Sequence, residues 1–341
     1  MTSTAVEVPA DIEAFTADAL ARGWGDGLPL IPPTPERVAR FLAGNDPDEV
    51  VAVLPPSGAP CTLEKLAINA VMAGAPAASL PLLRASIEAM AIEDFDLHAL
   101  NATTGSVVPA MLVNGPIRHD LGIPFGAGCL GGVAGSAPTI GRAVRLVMRN
   151  VGGQRIGTTS QSVYGTPGRV TGIVFGEWEE RSPWAPLAER RGVAGDAVTV
   201  YGAMGTANIC DLVADNGLDL LAMIGKSCAY PGANGFLTSS AFSEMLVCIN
   251  PIWAEIIARD VPDADEVRRL LWDHAALPVD WWPPAYRASL EAYGRVRDDG
   301  RVHLVQDVEA MLFCVAGGLG NLHAATLHSW GATLAQTVPV R

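Results

Sequence analysis

Ala110-Met-Leu-Val-Asn-Gly-Pro116 returns later in the chain as Glu244-Met-Leu-Val-Cys-Ile-Asn-Pro251, and this recurrence decides the fold class. Each run is a short apolar stretch that stops at asparagine and proline. That is the pattern of a strand buried on both faces and ended by a turn. Each is followed by a helix-patterned segment, Thr139–Arg149 in the first case and Ala264–His274 in the second. Outward from these runs, Val50–Leu54 reads as a buried strand, and Thr62 with Glu64–Met72 opens an apolar helix. Leu80–Ala91 reads as a second helix and Ala197–Tyr201 as a strand. Gly202–Thr206 reads as a turn, and Met311–Val315 as a strand running into a glycine-rich loop. Strands alternating with helices predict an α/β fold with mostly parallel sheets, arranged as two degenerate pseudo-repeated halves. Chance likeness between two ordinary strand-turn-helix segments is the competing account. The expected division is residues 1–150 for the first half, 151–195 for a linker or crossover rich in Gly, Ser, Thr and Pro, and 196–341 for the second half.

The chain has 341 residues, 49% hydrophobic and 17% charged, enough for a sizeable core and for burial in a homo-oligomer. Trp272, Trp281 and Trp282, set among prolines, suggest an oligomer contact. Lys plus Arg is 23 against 36 Asp plus Glu, a formal charge of −13 with no basic stripe, so nucleic acid is not an expected partner. No run reaches the ~18 to 20 uncharged apolar residues of a membrane span. Met1–Ala10 has neither a basic start nor an apolar signal core, so the cytoplasm is the expected compartment. The six cysteines form no CxxC pair, which fits reduced thiols used mainly in packing.

Ligands of largely parallel sheets bind at the carboxyl ends of the strands, so candidate site residues are sought there. Asn101, Thr103, Thr104 and Asn114 from one half, and Ser239, Ser240 and Asn250 from the other, would bind a carboxylate or a developing oxyanion. Caps and turns use the same residue types. Cys228, beside Lys226 in Gly225-Lys-Ser-Cys-Ala-Tyr-Pro-Gly232, is the candidate nucleophile, with a depressed pKa expected. The order of that segment is similar to the second cysteine motif of aspartate/glutamate racemases; a buried structural thiol is the competing reading. His98 and His323 stand beside strand-end loops as candidates for proton transfer. Arg142 and Arg145 would hold an anion after the glycine-rich loop Gly126–Ser136. His323 and His328 are five apart, not on one helical face, and no HExxH pattern exists, so neither a metal nor any other cofactor is expected.

Arg22-Gly-Trp-Gly-Asp-Gly-Leu-Pro-Leu-Ile-Pro-Pro-Thr-Pro-Glu-Arg-Val38, Leu66–Gly74, Val113–Ile117, Thr139–Leu146 and Val315–Gly318 resemble the hallmark runs of a bacterial family loosely grouped with the UGSC (selenocysteine or cysteine) proteins. The resemblance covers most of the chain and implies no specific activity. Similar proteins tend to have cysteine where this chain has Ala75 and histidine where it has Trp253, so any chemistry resting on those positions is changed or lost here. Two functions are expected. One is a cofactor-independent lyase, hydrolase or isomerase acting on a small carboxylate or amide-like substrate at the junction of the halves. The other is a non-catalytic binding or scaffold subunit working with a separate thiol or selenol partner protein.

Overall fold

The computed structural model describes residues 3–131, 135–238, 240 and 242–341. Its centre is a curled, mixed seven-stranded sheet. In chain order the strands are β1 (Val108–Asn114), β2 (Ile173–Gly176), β3 (Ala197–Cys210), β4 (Met245–Ile249), β5 (Met311–Val315), β6 (His323–Ser329) and β7 (Gln336–Pro339). In space they run β2-β1-β3-β6-β4-β5, with β7 added along β3. The expectation of a mostly parallel sheet is corrected: β1 pairs β2 and β4 pairs β5 in parallel, while β1–β3, β3–β6, β6–β4 and β7–β3 are antiparallel. Helical crossovers make the two parallel pairs. The strand after each pair returns in the opposite sense, and these two returning strands meet in the middle.

Alternation along the strands sorts the side chains into three cores. Outward-facing Met111, Val113, Val174, Val198 and Val200 pack under helices α1 (Leu63–Ala73), α2 (Leu80–Met90) and α3 (Ala137–Asn150). Outward-facing Val247, Ile249, Phe313 and Val315 pack under α4 (Gly217–Cys228), α5 (Pro251–Asp260) and α6 (Ala264–His274). Inward-facing Leu112, Phe175, Tyr201, Leu246, Leu312 and Leu327 share the third core, which the curl encloses. Burial of this order, about 25 cal/mol per Å² of apolar surface, is the main stabilising term.

The curl brings the carboxyl ends of the two edge strands together. Trp178 N donates to Val315 O at 2.7 Å, and the Arg190 guanidinium donates to the Phe313 carbonyl. Gly141 lets α3 lie directly on the Thr171–Gly172 backbone, where a Cβ would overlap the Thr171 carbonyl oxygen. This accounts physically for the glycine in Thr139-Ile-Gly-Arg.

Two element readings change. The strand starting at Ala197 does not turn at Gly202–Thr206; it runs on to Cys210, and its register against β6 shifts between Ala203 and Thr206. Gly205, with φ of +142°, sits in that bulge. Val50–Leu54 is not a buried strand: it pairs only with Ala59–Thr62, and Val50 and Val53 are exposed. Among the described residues no helix is long and apolar enough to cross a membrane.

Candidate functional site

The sites suggested by the sequence separate into three places. At the carboxyl end of the first parallel pair, Asn114 is buried and donates from Nδ2 to Glu177 Oε2 (2.8 Å) and Glu179 Oε1 (2.9 Å). Glu177 is itself buried and spans the seam: Oε2 also accepts from Leu187 N at 2.7 Å, and Oε1 from Val315 N at 3.4 Å. Burial raises its pKa above the usual carboxylate range, against the pull of Asn114 and the two amides. Alongside, Arg118 is buried and reaches both Glu179 and Glu180. Its hydrogen bond holds the Glu180 carboxyl down at about 2. Asn114 is a member of this clasp.

At the opposite ends of the strands, Thr103 accepts from Gly105 N, Thr104 is exposed, and Ser240 donates to Asn234 O. Gly105 and Ser240 approach the same turn, Gly105 against the Trp330 ring and Ser240 against Gly331. These groups therefore gather at the end of the sheet away from Asn114. Ser239 lies outside the described residues, as do Gly132, Val133 and Ala134 of the glycine-rich loop. Asn101 is buried and ties its Nδ2 to Pro55 O at 2.8 Å.

The third place is an open cavity of about 280 Å³ at the carboxyl ends of β4 and β5. Cys129, Cys248, Asn208, Asn250 and His323 line it, between the Ala127–Leu130 loop and Ala316–Gly318. Asn250 caps α5, its Oδ1 accepting from Trp253 N at 3.0 Å while Nδ2 donates to the His323 carbonyl. His323 is exposed, its Nδ1 lying 3.3 Å from Asn208 Nδ2. With Nδ1 accepting from that amide, the imidazole proton sits on Nε2. Among the described residues the amides of Ala127, Gly128 and Gly318 donate no hydrogen bond within the chain.

Two lining thiols were read from the sequence only as packing. Cys248 and Cys314 face each other in register on β4 and β5, and the Cys314 thiol donates to Cys248 Sγ at 3.7 Å. That bond, together with burial, pushes the Cys314 pKa well up, and leaves Cys248 as the sulfur turned to the cavity. Cys129 comes from the loop before α3; burial pushes its pKa up to about 12, with Cys248 adding to the effect. A cysteine within an apolar run reads as core. The one available signal was its position beside the predicted strand end at Asn250.

Three expectations change. Cys228 does not have a depressed pKa: it is buried on α4, donates to Ile224 O at 3.3 Å, and burial pushes it up to about 12. Its neighbour Lys226 points to solvent. Arg142 is not free to hold an anion, because Nε and Nη2 grip the Asp26 carboxylate (2.7 and 2.8 Å), and Leu28 O and Pro29 O accept its other bonds. Burial raises the Asp26 pKa, but the Arg142 bonds outweigh it and leave the carboxyl below its ordinary value. His98 is exposed on the short helix Leu97–Ala102 and does not line the cavity.

Of the two residues that differ from similar proteins, Trp253 is buried in the α4–α6 core and Ala75 is half-buried after α1. Among the described residues no group of three or more His, Cys, Asp or Glu side chains is placed to hold a metal ion. No protein-family model, no curated protein and no solved structure matches the chain.

Proposed function

We propose that this chain is an enzyme acting on a small carboxylate or amide-like substrate in the seam cavity, by acid–base or thiol chemistry. One observation carries the reading. Two thiols, an imidazole, two carboxamides and unengaged backbone amides converge on one cavity of substrate size. In this reading the Ala127, Gly128 and Gly318 amides and Asn208 hold the substrate oxygens. His323 moves a proton at Nε2, and Cys248 attacks or takes a proton, with the Cys314 S–H steadying its sulfur.

The site belongs to a degenerate duplication in this reading. The strand order β2-β1-β3 followed by β6-β4-β5 supports it, since each half places its first strand in the middle, its second outside in parallel and its third inside, reversed. On that topology the halves divide after Cys210, so 151–195 belongs to the first half rather than forming a linker.

The test is proton NMR in D₂O on a panel of small carboxylates and amides, which reports isomerisation, elimination, hydrolysis and C–H exchange together. His323→Gln and Cys248→Ala are each expected to lower the rate about 100-fold or more. Turnover that survives both changes, or that falls with Cys228→Ala instead, overturns the proposal. A non-catalytic subunit serving a separate thiol or selenol protein is the second reading. It is favoured by the Cys129 thiol, which burial keeps protonated at neutral pH, and it predicts a stable co-purifying partner with no turnover by the isolated chain.

A further inference from the structure

A second cavity, also of about 280 Å³, opens at the other end of β5 from Cys314. Its wall carries three guanidinium groups, Arg190, Arg191 and Arg268, over an apolar floor of Leu187, Met311 and Leu312. Three cations together stand out in a chain with a formal charge of −13.

No acid is in direct contact with Arg190 or Arg191 among the described residues; the buried Glu177 and Glu244 act on them only from a distance. Glu309 is the single acid among the lining residues, and it is exposed. Asp265, one helical turn from Arg268, binds that arginine but is itself 80% exposed. Arg190 is occupied by two carbonyls, Ala185 O from Nε and Phe313 O from Nη2. Arg191 is held by Thr337 Oγ1 (2.8 Å) and Ala335 O (2.7 Å). Neither forms an ion pair among the described residues. Each keeps an Nη1 with no hydrogen bond within the chain, and the Nε of Arg268 is buried with no partner.

A guanidinium keeps its proton at any ordinary pH, and an unpaired buried donor such as the Arg268 Nε costs about 1–3 kcal/mol, so that group is expected to meet an acceptor. The acceptor complementary to three such forks is an anion with several oxygens.

We propose that this cavity is a second binding site, separate from the seam cavity, for a small ligand carrying two negative charges on oxygen, with Arg190, Arg191 and Arg268 as its contacts. A phosphate ester and a short dicarboxylate share that chemistry. The apolar floor accommodates the carbon part of either.

Isothermal titration calorimetry of the full chain, in low-chloride buffer, with inorganic phosphate and separately with malonate, distinguishes the two sources. Saturable one-site binding with Kd below about 1 mM is expected for one of them, and the anion that saturates identifies the class. Arg268→Gln is expected to weaken it about tenfold or more. That residue anchors only Asp265, so the variant folds; Arg191→Gln, which also frees Thr337 and Ala335, is the supporting variant and is checked by circular dichroism. Glu309→Gln removes the opposing charge and is expected to tighten binding about threefold. Arg269→Gln, whose side chain pairs with Glu266 outside the cavity, is expected to change nothing. Absence of saturation by either anion below about 10 mM, or equal weakening by Arg269→Gln and Arg268→Gln, overturns the proposal.

Discussion

The two parallel strand pairs end in opposite ways. At the end of β1 and β2 the side chains interlock: Asn114 Nδ2, Glu177, Glu179 and Arg118 are bound to one another or to the backbone, and Glu177 reaches across to Val315. At the end of β4 and β5 lies a cavity lined by thiols, an imidazole and amides, with no ion pair among its lining residues as described. The same kind of strand end thus serves as a clasp at one parallel pair and as an open cavity at the other. Strength at the first allows looseness at the second, because cavities and unpaired polar groups cost stability that must be offset elsewhere.

Cutting the clasp is expected to have the largest effect on stability. Glu177→Ala removes the acceptor of three donors from three segments; Asn114 keeps Glu179, but the Leu187 and Val315 amides lose this acceptor in a buried place. A loss of about 3–5 kcal/mol is expected by urea denaturation. A loss below about 1 kcal/mol would show that the seam is held by packing alone.

The acids of the two halves sharpen the contrast through pH. Glu180 is held low by Arg118, whereas Glu244, at the start of β4, is pushed up to about 7 by burial, against the Ala335 amide and the more remote Arg191. A raised carboxyl pKa means that the folded state keeps a proton the unfolded state has released. Stability from this group is therefore fully present at acid pH, falls as pH climbs from about 4.5 to about 7, and is level above. The loss is on the order of 3 kcal/mol at most. His303 and His328, whose pKa values burial lowers, slope the other way. The readout is accordingly the difference between the wild type and Glu244→Gln across that window. Parallel curves for the two proteins would remove Glu244 as its source.

The open end is expected to tolerate change. Cys248→Ala should cost about 1 kcal/mol, since one buried sulfur is removed beside an existing cavity. The same change lowers turnover about 100-fold or more if the seam cavity is the site. Stability is read by thermal denaturation beside the NMR assay. A cost near that of Glu177→Ala would make Cys248 structural and erase the distinction.

Much of this architecture was legible locally. Val108–Asn114, Met245–Ile249 and Met311–Val315 are apolar runs closed by turn residues, and they are strands. Asn250 and His323 were picked out because they flank such ends, and both line the seam cavity. What the sequence hid is long-range. Arg142 looked free because its partner Asp26 stands 116 residues earlier. Gly202–Thr206 carries turn chemistry yet stays in the strand, with Gly202 paired to Pro109 and a bulge only between Ala203 and Thr206, because β1 and β6 flank it and complete the ladder. The curl itself, which makes Cys129 and Cys248 neighbours and buries Cys228 elsewhere, follows from strand order and twist rather than from any one segment. Residue type alone favoured the cysteine beside a lysine; burial decides otherwise.

The smallest effect expected is at the rim of the clasp. Arg181, at the end of the Glu179–Arg181 turn, pairs with Glu255 on α5 and so ties the ends of the two parallel pairs together a second time. Both side chains are about one-third or more exposed, 35% and 44%. Water and salt therefore screen the pair, and ordering two long side chains offsets most of the attraction. A double-mutant cycle of Arg181→Ala and Glu255→Ala should give a coupling of about 0.5 kcal/mol or less, vanishing in about 1 M salt. A coupling above about 1 kcal/mol that survives salt would mean that the clasp extends onto the helix capped by Asn250. The cavity beside it would then be held rigid from both halves, and the division between a fastened end and a free one would have to be redrawn at α5.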